Sequence, residues 1–373
     1  MLFSEIIGQA AIKERFISTI KEEKMPHAQL FVGKEGIGKL PLAIAYAQYV
    51  CCTDRTDNDS CGTCPSCVKY AKLAHPDLHF VFPIVKPGSS KAVCDGYLQD
   101  WRDIIREKKY FSYNDWLLKL DAGNKQATIY ADESEEIARK LSLKSYESEY
   151  KVMIIWQPEK MNETCGNKLL KILEEPPAKT LFILVTENPD ALLVTIQSRT
   201  QRINIPAITV HDLKKELTEK FTISGEDAVN IARVANGSYI KAVETIEMSA
   251  ENKENFERFV SIMRLAYTKN VKGIKEWAEQ MASIGREHQK NFLMYAQQMI
   301  RENFMLNFRQ EDLNYMTKNE HDFSVRFSPF INERNIIDIV SEFALAQRHI
   351  EQNVNSKMVF FDLALKFIVL LKK

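Results

Sequence analysis

The 373-residue sequence predicts an α/β domain built on a mostly parallel sheet, followed by two all-helical parts. Three observations carry this reading. A short apolar run at residues 29–33 leads through a glycine-rich turn into an apolar stretch of helical length. Further apolar runs at 152–156 and 181–185 alternate with helical patterns, the order that gives a parallel sheet covered on both faces. After Pro206 glycines become few, and amphipathic helical spacing continues to the end.

The amino-terminal residues, MLFSEIIGQAAIKERF, mix charge with apolar positions at helical spacing. They lack the unbroken apolar stretch of a signal peptide, so a cytoplasmic protein is expected. The strand at 29–33 is followed by a turn from Gly33 to Lys39 and a helix over about 40–50. Residues 83–127, with Trp101, Trp116 and Pro87-Gly88, break the α/β rhythm and read as an insertion without an evident function. The strand at 152–156 precedes a helix capped by Asn162 and stopped by Pro176-Pro177. The run 181–185 is a third strand, and a fourth includes Ile203 and Ile205 and closes at Pro206.

A domain boundary is expected near 207. Residues 208–249 suit a small helical bundle broken at Gly225 and Gly237, and 250–373 a separate all-α unit. The closing MVFFDLALKFIVLLKK is strongly apolar, but Asp362 and Lys366 interrupt it and it is too short to span a membrane. It reads as a packing helix.

Composition narrows the functional classes. Apolar residues at 45% and charged residues at 27% exclude a disordered or fibrous chain. Lys plus Arg and Asp plus Glu each total 50, so no net basic field is available to hold nucleic acid by counterion release. Contact with DNA would have to be local or shared with partners.

Gly33-Lys34-Glu35-Gly36-Ile37-Gly38-Lys39 matches the first seven positions of a phosphate-binding loop, in its required place between strand and helix. Backbone N–H groups there converge on phosphates, and Lys39 can reach terminal phosphate oxygens. The eighth position, where a hydroxyl should ligate magnesium, is Leu40. At the end of the 152–156 strand, where an acidic pair should hold magnesium and polarise water, stand Trp156 and Gln157, with Glu159 two residues too late. Magnesium binding and hydrolysis by this chain alone are therefore not expected. ATP or ADP binding stays open, because loop backbone and Lys39 can hold phosphates without the metal.

Cys52, Cys61, Cys64 and Cys67 form C-x8-C-x2-C-x2-C, with Cys51 as a rival for the first position. Four thiolates at this spacing can close a tetrahedral structural zinc site. The acidic surroundings, Asp54, Asp57 and Asp59, argue against a nucleic-acid finger.

Together these pieces resemble the AAA+ clamp-loader subunits of bacterial DNA polymerase III. Phe3-Ser4-Glu5-Ile6-Ile7-Gly8-Gln9 and Pro26-His27-Ala28-Gln29-Leu30-Phe31 are similar to the family's approach to its phosphate loop. Asn167 to Pro177 (NKLLKILEEPP) is its most recognisable helix, Thr186 falls at its sensor-1 position, and Ser198-Arg199-Thr200 is similar to its Ser-Arg-Cys motif with Thr200 replacing the cysteine. Gly237-Ser238-Tyr239-Ile240-Lys241-Ala242 matches more weakly, with Lys241 where motor subunits place an arginine.

The resemblance implies an AAA+ P-loop domain with a zinc module over 1–207, a helical lid over 208–249 and an oligomerising collar over 250–373. It implies Gly33, Gly36, Gly38, Lys39 and Thr186 at a degenerate nucleotide site, and Arg199 as an arginine finger acting on a neighbour. The implied partners are motor (gamma/tau) and delta subunits, with the sliding clamp and primer-template DNA reached through the assembled complex. Missing hydrolytic groups favour the family's non-hydrolysing type. The alternatives are a motor subunit with unusual catalytic residues and a zinc-dependent nucleic-acid-binding protein. Lys168 and Lys171 can face DNA or merely solvent. His27, His75 and His79 receive no catalytic role, since His75-Pro76-Asp77 reads as a turn.

Overall fold

The computed structural model describes residues 1–86, 91–123, 125–221, 223–307 and 318–373. The Pro87-Gly88 pair of the insertion lies outside the described residues. The chain divides into two compact units, Met1–Thr245 and Ile246–Lys373.

The first unit opens with α1 (Ala10–Lys21), β1 (Ala28–Val32), α2 (Lys39–Cys51) and α3 (Pro65–Ala71). Next come β2 (Leu78–Val81), α4 (Leu98–Glu107), α5 (Tyr113–Lys119) and α6 (Ala131–Ser142). The unit continues with β3 (Lys151–Trp156), α7 (Glu163–Glu174), β4 (Thr180–Thr186), α8 (Val194–Gln197) and β5 (Gln201–Asn204), then α9 (Val210–Lys220) and α10 (Gly225–Val234). The chain passes into the second unit within α11 (Tyr239–Tyr267).

The strands form one five-stranded sheet in the order β2-β3-β4-β1-β5, and every pairing is parallel. β1, β3 and β4 are buried along their whole length, which is why they appear in the sequence as continuous apolar runs rather than alternating ones. α2 is likewise buried on every side, and Pro41 is tolerated in its first turn because N–H groups there have no intrahelical partner. Asn162 caps α7 by accepting from the Cys165 amide at 2.8 Å, and the helix ends at Glu174, ahead of the proline pair.

Two expectations need correction. The strand expected to hold both Ile203 and Ile205 ends at Asn204, although the Ile205 amide still donates to the Val32 carbonyl at 2.8 Å. A further strand, β2, stands beside β3 where the sequence offered only the His75-Pro76-Asp77 turn. That turn is present: the His75 ring accepts from the Asp77 amide at 3.1 Å. The Asp77 carboxylate in turn accepts from the amides of Tyr146, Glu147 and Ser148 at 2.7–2.9 Å, pinning the approach to β3.

The second unit is helical among its described residues. Beyond α11 it contains α12 (Val271–Ser283), α13 (Arg286–Leu306), α14 (Lys318–Phe327), α15 (Ile336–Glu351) and α16 (Ser356–Leu370). Its core gathers Trp277, Phe292, Phe343, Phe360 and Phe367. The apolar carboxy-terminal stretch packs as α16, burying Val359, Leu363 and Ala364 as well, and among the described residues no helix is long and apolar enough to cross a membrane.

Candidate functional site

Parallel topology places the carboxyl ends of β1, β3 and β4 along one edge of the sheet, the position where open α/β folds hold ligands. Val32 stands in register with Thr186, and Trp156 with Val185. The loop from Gly33 to Lys39 leaves β1 at this edge and enters α2. Gly36 and Gly38 adopt left-handed backbone, φ 78° and 89°, which favours glycine. A side chain at Gly36 would also collide with Ser238, because the segment before α11 lies on the loop and the Tyr239 amide donates to the Gly36 carbonyl at 2.9 Å.

Lys39 is buried, 5% exposed, which for a lysine requires internal partners. Its ammonium donates to the Lys34 carbonyl and pairs with Glu187 at 3.4 Å. Burial holds its pKa below the ordinary lysine value despite the opposing pull of Glu187. Thr186 ends β4 fully buried, and its hydroxyl has no hydrogen-bond partner among the described residues.

Leu40 and Trp156 line the cleft in front of the loop. Gln157 is buried in left-handed backbone, with its amide donating to Val185 at 2.9 Å. One oxygen of the Glu159 carboxylate accepts from the amides of Glu187 and Asn188 at 3.2 and 3.3 Å, and the group lies near enough to Lys39 to favour its charged form. No carboxylate stands at Trp156 or Gln157, so the cleft has no acidic pair at the end of β3 to hold magnesium.

The four predicted cysteines converge. The Sγ atoms of Cys52, Cys61, Cys64 and Cys67 all lie within 4.8 Å of one another. The separations Cys52–Cys61, Cys52–Cys64 and Cys61–Cys67 are 3.6, 4.0 and 3.9 Å, against about 3.8 Å for the edge of a tetrahedron whose metal–sulfur arms are about 2.3 Å. Amides of Cys61, Cys64 and Cys67 donate to the sulfurs of Cys52, Cys61 and Cys64 at 3.3–3.4 Å, which favours thiolates. For Cys64, burial raises the pKa, but hydrogen bonds from Thr53 and the Cys67 amide outweigh it and bring it down to about 6. Burial and the neighbouring thiols push Cys67 up instead. Four crowded thiols cannot all ionise without a cation between them, and this set fits one metal ion. Cys51 is excluded from it, since its sulfur meets the Tyr70 hydroxyl at 3.2 Å and the Tyr150 carbonyl at 3.6 Å.

Arg199 lies between α8 and β5, just ahead of Gln201, which is in register with Gln29 at the start of β1. It therefore stands at the amino edge of the sheet, opposite the phosphate loop. Its guanidinium pairs with Glu174 and donates to the Thr195 carbonyl at 2.9 Å. Lys168 pairs with Glu135 at 3.5 Å, and Lys168 and Lys171 both lie on the exposed face of α7. Lys241 is exposed on α11.

Two residues at the cleft escaped sequence reading. Glu187 was legible only as a polar residue after a strand, and Tyr110 only as part of an insertion. No local pattern announces that either meets the loop.

The fold and cleft define an α/β protein with a P-loop-like glycine turn on a parallel sheet and an adjoining four-cysteine cluster, with Leu40, Trp156 and Gln157 at the places where hydrolytic ligands are expected. The profile of the family described as "DNA polymerase III, delta subunit" matches residues 8–209, more than half of the chain, and the chain belongs to that family. It stands within the delta'/gamma/tau group of clamp-loader subunits, of the AAA+ class.

Among its relatives, DNA polymerase III subunit delta' of Bacillus subtilis is 28% identical over 257 residues, covering 69% of this chain and 64% of the relative. DNA polymerase III subunit tau/gamma of Haemophilus influenzae is 26% identical over 241 residues, covering 63% of this chain and 29% of the relative. The delta' subunit of Haemophilus influenzae is 25% identical over 248 residues, covering 66% and 63%. The chain thus spans less than two thirds of the length of these relatives.

Proposed function

We propose that this chain is the delta-prime subunit of a bacterial clamp loader, an AAA+ stator that does not hydrolyse ATP. In this reading it helps a ring of motor (gamma/tau) and delta subunits open the sliding clamp and place it on primer-template DNA. Residues 208–249 serve as the lid and 250–373 as the collar that joins the ring. The cysteine cluster holds zinc, which thiolate sets of this size suit, in a structural role with no open coordination position.

One observation carries the choice of subunit: Leu40, Trp156 and Gln157 stand where a motor needs a magnesium hydroxyl and two carboxylates. Arg199 supports a place in the ring under either subunit reading. β5 alone spans about 10 Å between the level of Arg199 and that of the phosphate loop, so the guanidinium suits a neighbour's γ-phosphate rather than its own. The motor reading remains the second one, favoured by the likeness to the Haemophilus influenzae tau/gamma protein.

ATP turnover by the purified chain with magnesium separates the two. The delta-prime reading expects turnover at background, unchanged by Lys39→Ala. A magnesium-dependent activity that Lys39→Ala abolishes replaces it with the motor reading.

A further inference from the structure

We infer that the 83–127 insertion supplies a built-in occupant of the nucleotide cleft. Tyr110, backed by Phe111, fills the space in front of the glycine loop and ties that loop to its surroundings. The inference rests on the reading of this chain as a non-hydrolysing subunit and gives that subunit a reason to ignore nucleotide altogether.

Geometry carries the argument. Tyr110 sits against Gly38 so closely that a Cβ there would lie 2.8 Å from the ring and 3.0 Å from the hydroxyl. The same hydroxyl accepts from the Ile7 amide at 3.0 Å, joining the amino-terminal segment to the loop. Its ring meets Tyr239 at 5.0 Å, and Tyr239 is the residue whose amide donates to the Gly36 carbonyl. One side chain thus contacts the loop itself and two further pieces of chain that converge on it.

Phe111 anchors the plug from behind, with its ring 5.4 Å from Trp156 and 5.7 Å from Trp101. Trp156, the residue that replaces a magnesium-holding carboxylate, is thereby part of the plug's seat.

What remains of the cleft is about 30 Å³. That is room for about two or three water-sized spheres at about 10–15 Å³ each, whereas pockets for small molecules run to about 300–1,000 Å³. The loop is also satisfied electrostatically. Glu187, on the cleft wall, already neutralises Lys39 and would oppose the oxygens of an incoming triphosphate. Entry of nucleotide requires the chain around Tyr110 to withdraw, breaking the Ile7 bond and exposing Phe111, which is 9% exposed in place.

Amide hydrogen exchange on the full chain, with and without millimolar ATP, tests this. In the parent, ATP should leave the exchange of residues 33–39 unchanged, and the Ile7 amide should exchange slowly. Tyr110→Phe removes only the hydroxyl and should speed Ile7 exchange roughly 2- to 10-fold, the effect of one hydrogen bond. Tyr110→Ala should also speed the Tyr239 amide, while amides of β3 and β4 stay protected in both variants. Should the alanine variant fail to fold, the phenylalanine variant still decides.

The inference is overturned if ATP protects residues 33–39 in the parent, or if Ile7 exchanges equally fast in parent and Tyr110→Phe. ATP bound without turnover would overturn the plug alone. ATP bound and hydrolysed would remove the non-hydrolysing reading with it.

Discussion

Replacing Cys61 and Cys64 together by serine should abolish metal binding and destabilise the first unit by about 4 kcal/mol, the linkage value when free metal exceeds its dissociation constant about 1,000-fold. The parent should carry one zinc per chain by elemental analysis, and a strong chelator should reproduce the loss. The damage should spread beyond the module, because its loop holds the amino terminus. Asp59 accepts from the amides of Phe3 and Ser4 at 2.9 Å each, and Phe3 is 2% exposed. Releasing that loop frees a buried aromatic ring, so the Phe3 and Ser4 amides should lose protection with the metal. A metal-free parent as stable as the metal-loaded one would remove the zinc assignment.

Arg199→Ala should cripple ATP turnover at one interface of a reconstituted loader while sparing the fold. Arginine fingers in phosphoryl transfer are worth roughly 10³ to 10⁵ in rate at the site they serve. The loss for the whole loader should be smaller, since other subunits keep their own fingers. Stability should change little, because the Arg199–Glu174 pair is partly exposed, at 34% and 46% of the two side chains, and such pairs contribute about 0–1 kcal/mol. This separation lets turnover report on chemistry. An intact assembly whose clamp- and DNA-stimulated turnover is unchanged would make Arg199 a structural residue.

Legibility in the sequence followed the range of the interactions involved. β1, the glycine loop and α2 were readable because burial on both faces writes a continuous apolar run and the turn demands glycine at fixed offsets. The cysteine cluster was readable for a similar reason, since its ligands fall within 16 positions of one another. β2 was not: Leu78–Val81 is four residues long, with His79 inside it, and only its pairing with β3 makes it a strand. α6 was missed because ADESEEIARKLS has only two large apolar residues, Ile137 and Leu141, and fills the rest of its buried face with Glu133 and Ser134.

Tyr110 marks the limit. Its bond to Ile7 joins residues 103 positions apart, and nothing near it distinguishes it from an ordinary surface tyrosine. Composition and spacing located the damaged site, while the residue that fills it emerged only from the tertiary fold.

The central claim, a place in the clamp loader, is tested most directly by co-purification of the full chain with a clamp-loader motor subunit from the same organism. The expected result is a stoichiometric complex that survives size-exclusion chromatography. A chain that elutes alone at every ratio of the two proteins, while remaining folded and metal-loaded, would contradict it.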